Sequence, residues 1–113
     1  MNEQKRYIAI VLYEYSCPNP DYKSLFEECW SIVDADSEEH ARQKVETMAQ
    51  QNEHSYQNQY GETITVKVKN IVDVAPLLYL NKSIEDGTDL YARFFRNYQA
   101  YTQFEPLLGG EAL

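Results

Sequence analysis

RYIAIVLYEY, residues 6–15, decides how the rest of the chain has to be arranged. Strand alternation puts Ile8, Ile10 and Leu12 on one face, and Tyr7, Ala9, Val11, Tyr13 and Tyr15 on the other. Both faces are apolar, so the stretch reads as a central strand covered on two sides. Everything else has to supply its neighbours and its covers.

SCPNPDYKS (16–24) carries two prolines and reads as a loop. Residues 25–34 follow as a second strand, with Phe26, Trp30 and Ile32 alternating; Glu28 on the same side suits an edge position, where a charge discourages stray pairing. DADSEEHARQKVETMAQQNEHSY (34–56) is the clearest helix. Asp36 fits the N-cap with Glu39 three residues on, and Glu38 and Glu39 suit the positive end of the helix dipole. Ala41, Val45, Met48 and Ala49 form one modest apolar stripe, enough to cover one side of a sheet.

TITVKVKNIVDV (63–74) is a strand whose alternation breaks at Asn70-Ile71, the mark of a bulge or bend. Pro76 ends it, and LLYL (77–80) reads as a short turn or strand. EDGT (85–88) is a turn, and TDLYARFFR (88–96) alternates as a further strand. In the tail, Tyr98, Tyr101, Phe104 and Leu108 stand three and four apart, a short helix that Gly109 and Gly110 loosen. The expected fold is α+β: a mainly antiparallel four-stranded sheet in the order 2-1-3-4, one helix across a face and a short C-terminal helix. A chain of 113 residues suits a single domain (1–113), with a core at about 6–96 and a helical tail at about 97–113. Leu12, Trp30, Val45, Met48, Val66 and Phe94 are expected to be buried together.

HSYQNQYGET (54–63) then joins helix to strand. Asn58 and Gly61 tolerate a positive φ at a helix exit, and Tyr56 and Tyr60 are expected to fold over the helix end. The alternative is that Tyr56, Asn58 and Tyr60 form a binding site.

The opening strand, the helix start DADSEEHARQKV, the segment Tyr56-x-Asn58-x-Tyr60-Gly61-Glu62 and DGTDLYARFF together resemble a family of small bacterial proteins, the domain of unknown function numbered 4288. The likeness spans roughly residues 6–96. It implies a compact fold and no known activity.

Composition narrows the function. The net charge of -8 argues against general nucleic-acid binding, which needs clustered Lys and Arg. No signal peptide and no apolar run of membrane-spanning length occurs, which points to the cytoplasm. Cys17, Cys29, His40 and His54 have no short ligand spacing, so no metal is expected, and Cys17 and Cys29 read as free thiols. Glu27-Glu28 and Glu38-Glu39 are sequence neighbours rather than an acid–base pair, and no Gly-rich phosphate loop exists. The chain reads as a non-enzyme without cofactor, unless His54 meets a cysteine or carboxylate in one cleft.

Charge distribution points to a partner. Residues 27–62 hold nine of the eighteen acids and two of the ten bases. Such a side suits a basic protein, in the manner of an immunity protein or inhibitor facing a nuclease. The second candidate surface is the tyrosine face of the sheet, expected to lie away from the helix: Tyr7, Tyr13, Tyr15, Tyr91 and Phe95 beside Lys67, Lys69 and Arg93. It calls for a cover, either the tail or a second subunit in a homodimer. A small acidic, self-associating protein-interaction module is the first functional reading. A homo-oligomeric binder of a small ligand, held between sheet and tail, is the second.

Overall fold

The computed structural model describes residues 5–77 and 85–105. Its elements in chain order are β1 (Lys5–Ser16), β2 (Leu25–Ala35), α1 (Glu38–Gln51), β3 (His54–Gln57), β4 (Thr63–Pro76) and α2 (Tyr98–Phe104). The strands form one antiparallel sheet in the order β2-β1-β4-β3. The fold is therefore α+β, with the doubly apolar first strand inside the sheet. Its register with β2 runs unbroken from Lys5↔Ala35 to Tyr15↔Leu25.

β4 is irregular where its alternation breaks. Its pairing with β1 shifts twice, between Ile10 and Val11 and between Leu12 and Tyr13, leaving Val72 and Lys69 as the extra residues. Each bulge resets the parity. Val66 and Val68, then Ile71, then Val74 consequently all join or pack against the core cluster, although no single alternation connects them.

α1 starts one residue later than the sequence suggested. Ser37, not Asp36, is the N-cap: its extended backbone (φ -152°, ψ 163°) lets Oγ accept from the His40 N–H at 3.1 Å. Asp36 Oδ1 instead meets the His40 ring at Nδ1, 2.9 Å away. Ala41, Val45 and Ala49 are the buried stripe.

The face that α1 covers is the reverse of the expected one. Tyr7, Ala9, Val11 and Tyr13 form the core with Ala41, Val45 and Ala49, flanked by Val33, Ala35, Val66 and Val74. The cause is size. An Ala-Val-Ala stripe can approach the sheet closely only over small residues, and Ala9 and Ala35 provide them, while the Tyr7 and Tyr13 rings fill the volume alongside. Of the six residues expected together, Val45 and Val66 are in this core. Leu12 is half-buried, whereas Trp30, Met48 and Phe94 are 51%, 41% and 99% exposed.

The outermost strand also differs. Residues 88–96 pair with no strand, and β3 holds the place beside β4. A strand that follows α1 directly and returns through the loop 58–62 closes a much shorter loop than residues 88–96 would, at lower entropic cost. The turn at 85–88 does form: Thr88 N–H reaches the Glu85 carbonyl at 3.1 Å and Gly87 has φ +85°. Beyond it the chain crosses the second face of the sheet. The Tyr91 ring meets Trp30 edge-on at 5.2 Å, and its hydroxyl donates to Asp73. Trp30 and Asp73 are the two register partners of Ile10, so Tyr91 straddles β1 above Ile10, which is 3% exposed. The expected element at 78–80, and Leu107, Leu108, Gly109 and Gly110 of the tail, lie outside the described residues. Among those described, no helix is long and apolar enough to cross a membrane.

Candidate functional site

α1 stops at Gln51 while the sheet beneath continues, and the uncovered end of the sheet is the floor of a cleft of about 360 Å³. Tyr13 and Tyr15 come from β1, Glu27 and Cys29 from β2, Val66 from β4 and His54 from β3; Gln51 and Asn52 close it from the helix end. Register explains the convergence: Tyr13 lies opposite Glu27, Tyr15 opposite Val66, and Val66 opposite His54.

The polar groups of this cleft are tied to one another. Tyr15 donates its hydroxyl to Glu27 Oε1 at 2.9 Å, and Asn52 Nδ2 donates to the Tyr13 hydroxyl at 3.2 Å. The hydrogen bond to Glu27, then burial, raise the Tyr15 phenol above its ordinary value. Burial, and then the neighbouring Glu27 carboxylate, push the Cys29 thiol up as well. Cys29 is thus a protonated wall residue, the opposite of the low-pKa thiolate a nucleophile needs. His54 Nδ1 stands 2.8 Å from the Asn52 carbonyl, which can only accept, so Nδ1 carries a proton and, in the neutral ring, Nε2 is the acceptor. The ring stacks on Tyr56 at 6.0 Å.

Residues 54–63 form a hairpin arm and its turn rather than a helix exit. Asn58 organises the turn: Oδ1 accepts from the N–H groups of Tyr60 (3.0 Å) and Glu62 (2.9 Å), and its amide donates to Glu62 Oε1 at 3.0 Å. Gly61 takes φ +75°, a left-handed conformation with a steric penalty for any residue bearing a Cβ. Tyr60 projects at the turn, 77% exposed, and Tyr56 is on β3, stacked on His54.

Glu62 also receives Asn19 Nδ2 at 2.8 Å, fastening the β1–β2 loop to this hairpin. The Asn19 and Asn58 amides hold its carboxyl below the ordinary value of 4.5. A carboxyl depressed in the folded state stabilises fully above the unfolded value and loses that contribution as the pH falls through the folded one. The Glu62 carboxyl carbon should therefore titrate below pH 4.5, and Asn19→Ala should move its midpoint up. A wild-type midpoint at or above 4.5, followed by NMR, would mean that the clip does not form in solution.

A second cavity, of about 580 Å³, lies on the other face, between Glu28 and Val72 of the sheet and the chain from Arg93 to Glu105. Phe95 and Tyr101 stack within it at 4.6 Å. The aromatic residues singled out in the sequence are therefore divided. Tyr13 and Tyr15 line the first cleft, Arg93 and Phe95 the second cavity; Tyr7 is buried beneath α1, and Tyr91 lies across the far face. His54 does share this cleft with Cys29 and Glu27, the convergence an enzyme would need, while Glu27 and Asn52 were not singled out in the sequence as site residues. A Tyr15-to-Glu27 pairing could have been read only with the strand register in hand. Among the described residues, no group of three or more His, Cys, Asp or Glu could hold a metal ion.

A family model described as domain of unknown function DUF4288 matches residues 6–92. The chain belongs to this family. No curated protein and no solved structure matches it. The DUF4288 region contains every residue of the first cleft, but of the second cavity's lining only Glu28 and Val72. The cleft is thus built entirely from the part of the chain that the family defines.

Proposed function

We propose that this DUF4288 chain is a small acidic protein-interaction module that meets a basic partner through its α1 and β2 side. One observation carries the reading: the fold leaves most of the acids of residues 27–62 without a basic side chain beside them. Of the nine acids in residues 27–62, Asp34, Asp36 and Glu38 have a basic side chain within 4.0 Å: Arg6, His40 and Arg42. Among the described residues, Glu27, Glu28, Glu39, Glu46, Glu53 and Glu62 have none. A surface of one sign accelerates encounter with the opposite sign and rejects like-charged partners.

The test is capture of partners by the tagged protein from its own cell's lysate at about 0.1 M and about 1 M salt, where the screening length falls from ~10 to ~3 Å. A stoichiometric basic protein should be retained at low salt, leave at high salt, and be lost when Glu39 and Glu46 on the exposed helix surface are changed to Lys. Retention indifferent to both salt and charge reversal would refute the reading. Recovery of the protein alone, as a salt-resistant oligomer, would favour the second reading, a small-ligand binder. That reading is supported by the cavity between sheet and tail, with its Arg93 and Arg96 beside stacked rings.

A further inference from the structure

We propose that the cleft at the end of α1 binds a guanidinium group, an arginine side chain of the basic partner, with Glu27 as its counter-ion. The assignment rests on the interaction-module reading and names the chemistry that one part of the surface selects.

Size comes first. At about 360 Å³ the cleft is at the lower end of the range for small-ligand sites, which suits one side chain. Its lining contains one carboxylate, Glu27, and no Lys or Arg. An anion would therefore meet only repulsion from formal charge, while a cation finds a partner.

Donor and acceptor inventory comes next. Glu27 is oriented by the Tyr15 hydroxyl, and the neutral His54 ring, with Nδ1–H committed to the Asn52 carbonyl, has Nε2 as an acceptor. The Tyr13 hydroxyl oxygen already accepts from Asn52. Glu27 on β2 and His54 on β3 lie on the two edge strands, so the guanidinium is met by Glu27, while the lining as a whole offers acceptors to a ligand rich in donors. Guanidinium has five N–H donors and no acceptor. Its plane also stacks on aromatic rings, and Tyr13 and Tyr15 line the same cleft. Ammonium has the charge without the plane. The protonated Cys29 thiol adds no competing anion and no nucleophile.

The ¹⁵N-labelled protein should be titrated with capped Gly-Arg-Gly, with Gly-Lys-Gly, and with the neutral isostere Gly-citrulline-Gly. The arginine peptide is expected to shift amide signals around Tyr13–Tyr15, Glu27–Cys29 and Asn52–His54. Lysine, which lacks the planar fork, should bind about tenfold more weakly, and citrulline, which lacks the charge, not at all. Glu27→Gln keeps the size and an acceptor for Tyr15; it should lose tenfold or more in arginine affinity while its other signals stay in place. Shifts elsewhere, equal binding of citrulline or lysine, or an undiminished Glu27→Gln variant would overturn the guanidinium assignment. The two proposals separate cleanly. A basic partner captured equally by wild type and Glu27→Gln removes the cleft assignment and leaves the module. Arginine bound in the cleft without any basic partner captured leaves the site and removes the module.

Discussion

Tyr7→Ala is expected to lower the free energy of unfolding by about 3–5 kcal/mol, the cost of deleting a large buried aromatic ring and leaving its cavity. Tyr7 is 4% exposed in the cluster beneath α1, beside the small residues that let the helix approach the sheet. Domains of this size are stable by only about 5–15 kcal/mol, so the loss should be a large part of the total. Urea denaturation would read it as a lower midpoint with the slope unchanged. Tyr60→Ala is the matched control: Tyr60 is 77% exposed at the hairpin turn, and its loss should stay within about 0.5 kcal/mol. If both variants prove equally mild, the Tyr7 ring stands on an open face, and the tyrosine face becomes a binding surface after all.

That contrast locates what sequence could and could not convey. Centrality of β1 was legible because two apolar faces need two covers, and only an inner strand has them. The break at Asn70-Ile71 was legible too, because a lapse in alternation has few causes, and a bulge is one. Which face takes the helix was not legible. Tyr7 and Tyr13 are amphipathic enough to read as surface residues, and Ile8, Ile10 and Leu12 as core. The deciding fact is the fit between Ala41, Val45 and Ala49 of α1 and Ala9 and Ala35 of the sheet, which exists only once register aligns β1 with β2.

The site was less legible than the fold for the same reason. Glu27 and Tyr15 are separated by the loop 16–24 and meet because Tyr13 pairs with Glu27, which brings the Tyr15 hydroxyl along the same face. His54 joins them because residues 54–57 form β3, although the sequence extends the helical pattern through them. Short strands of mixed polar residues have little propensity of their own. HSYQ becomes a strand through its hairpin, with Asn58 and Gly61 shaping the turn and Ser55 and Thr65 meeting across the pair at 3.1 Å.

Ile10→Ala tests the opposite face and is expected to cost about 2–5 kcal/mol, the range for a buried aliphatic truncated to Ala. Ile10 points away from α1 and yet is 3% exposed. Its cover includes Tyr91, which spans the flanking Trp30 and Asp73; the hydrogen bond to Asp73, then burial, raise the Tyr91 phenol above its ordinary value. A group whose folded pKa is raised stabilises fully below the unfolded value and loses that contribution as the pH rises through the folded one, so this tie holds at neutral pH. Tyr91→Phe should remove the hydroxyl tie alone, at about 0.5–1.5 kcal/mol. Tyr91→Ala should uncover Ile10. The decisive quantity is the coupling between the two truncations: in a Tyr91→Ala background Ile10→Ala should cost less, by about 0.5–3 kcal/mol, since the site is already open to water. Strict additivity would mean that the chain beyond residue 88 does not lie on the sheet in solution. The cavity lined by Arg93, Phe95 and Tyr101 would then have no sheet wall, and the first cleft would remain as the pocket to pursue.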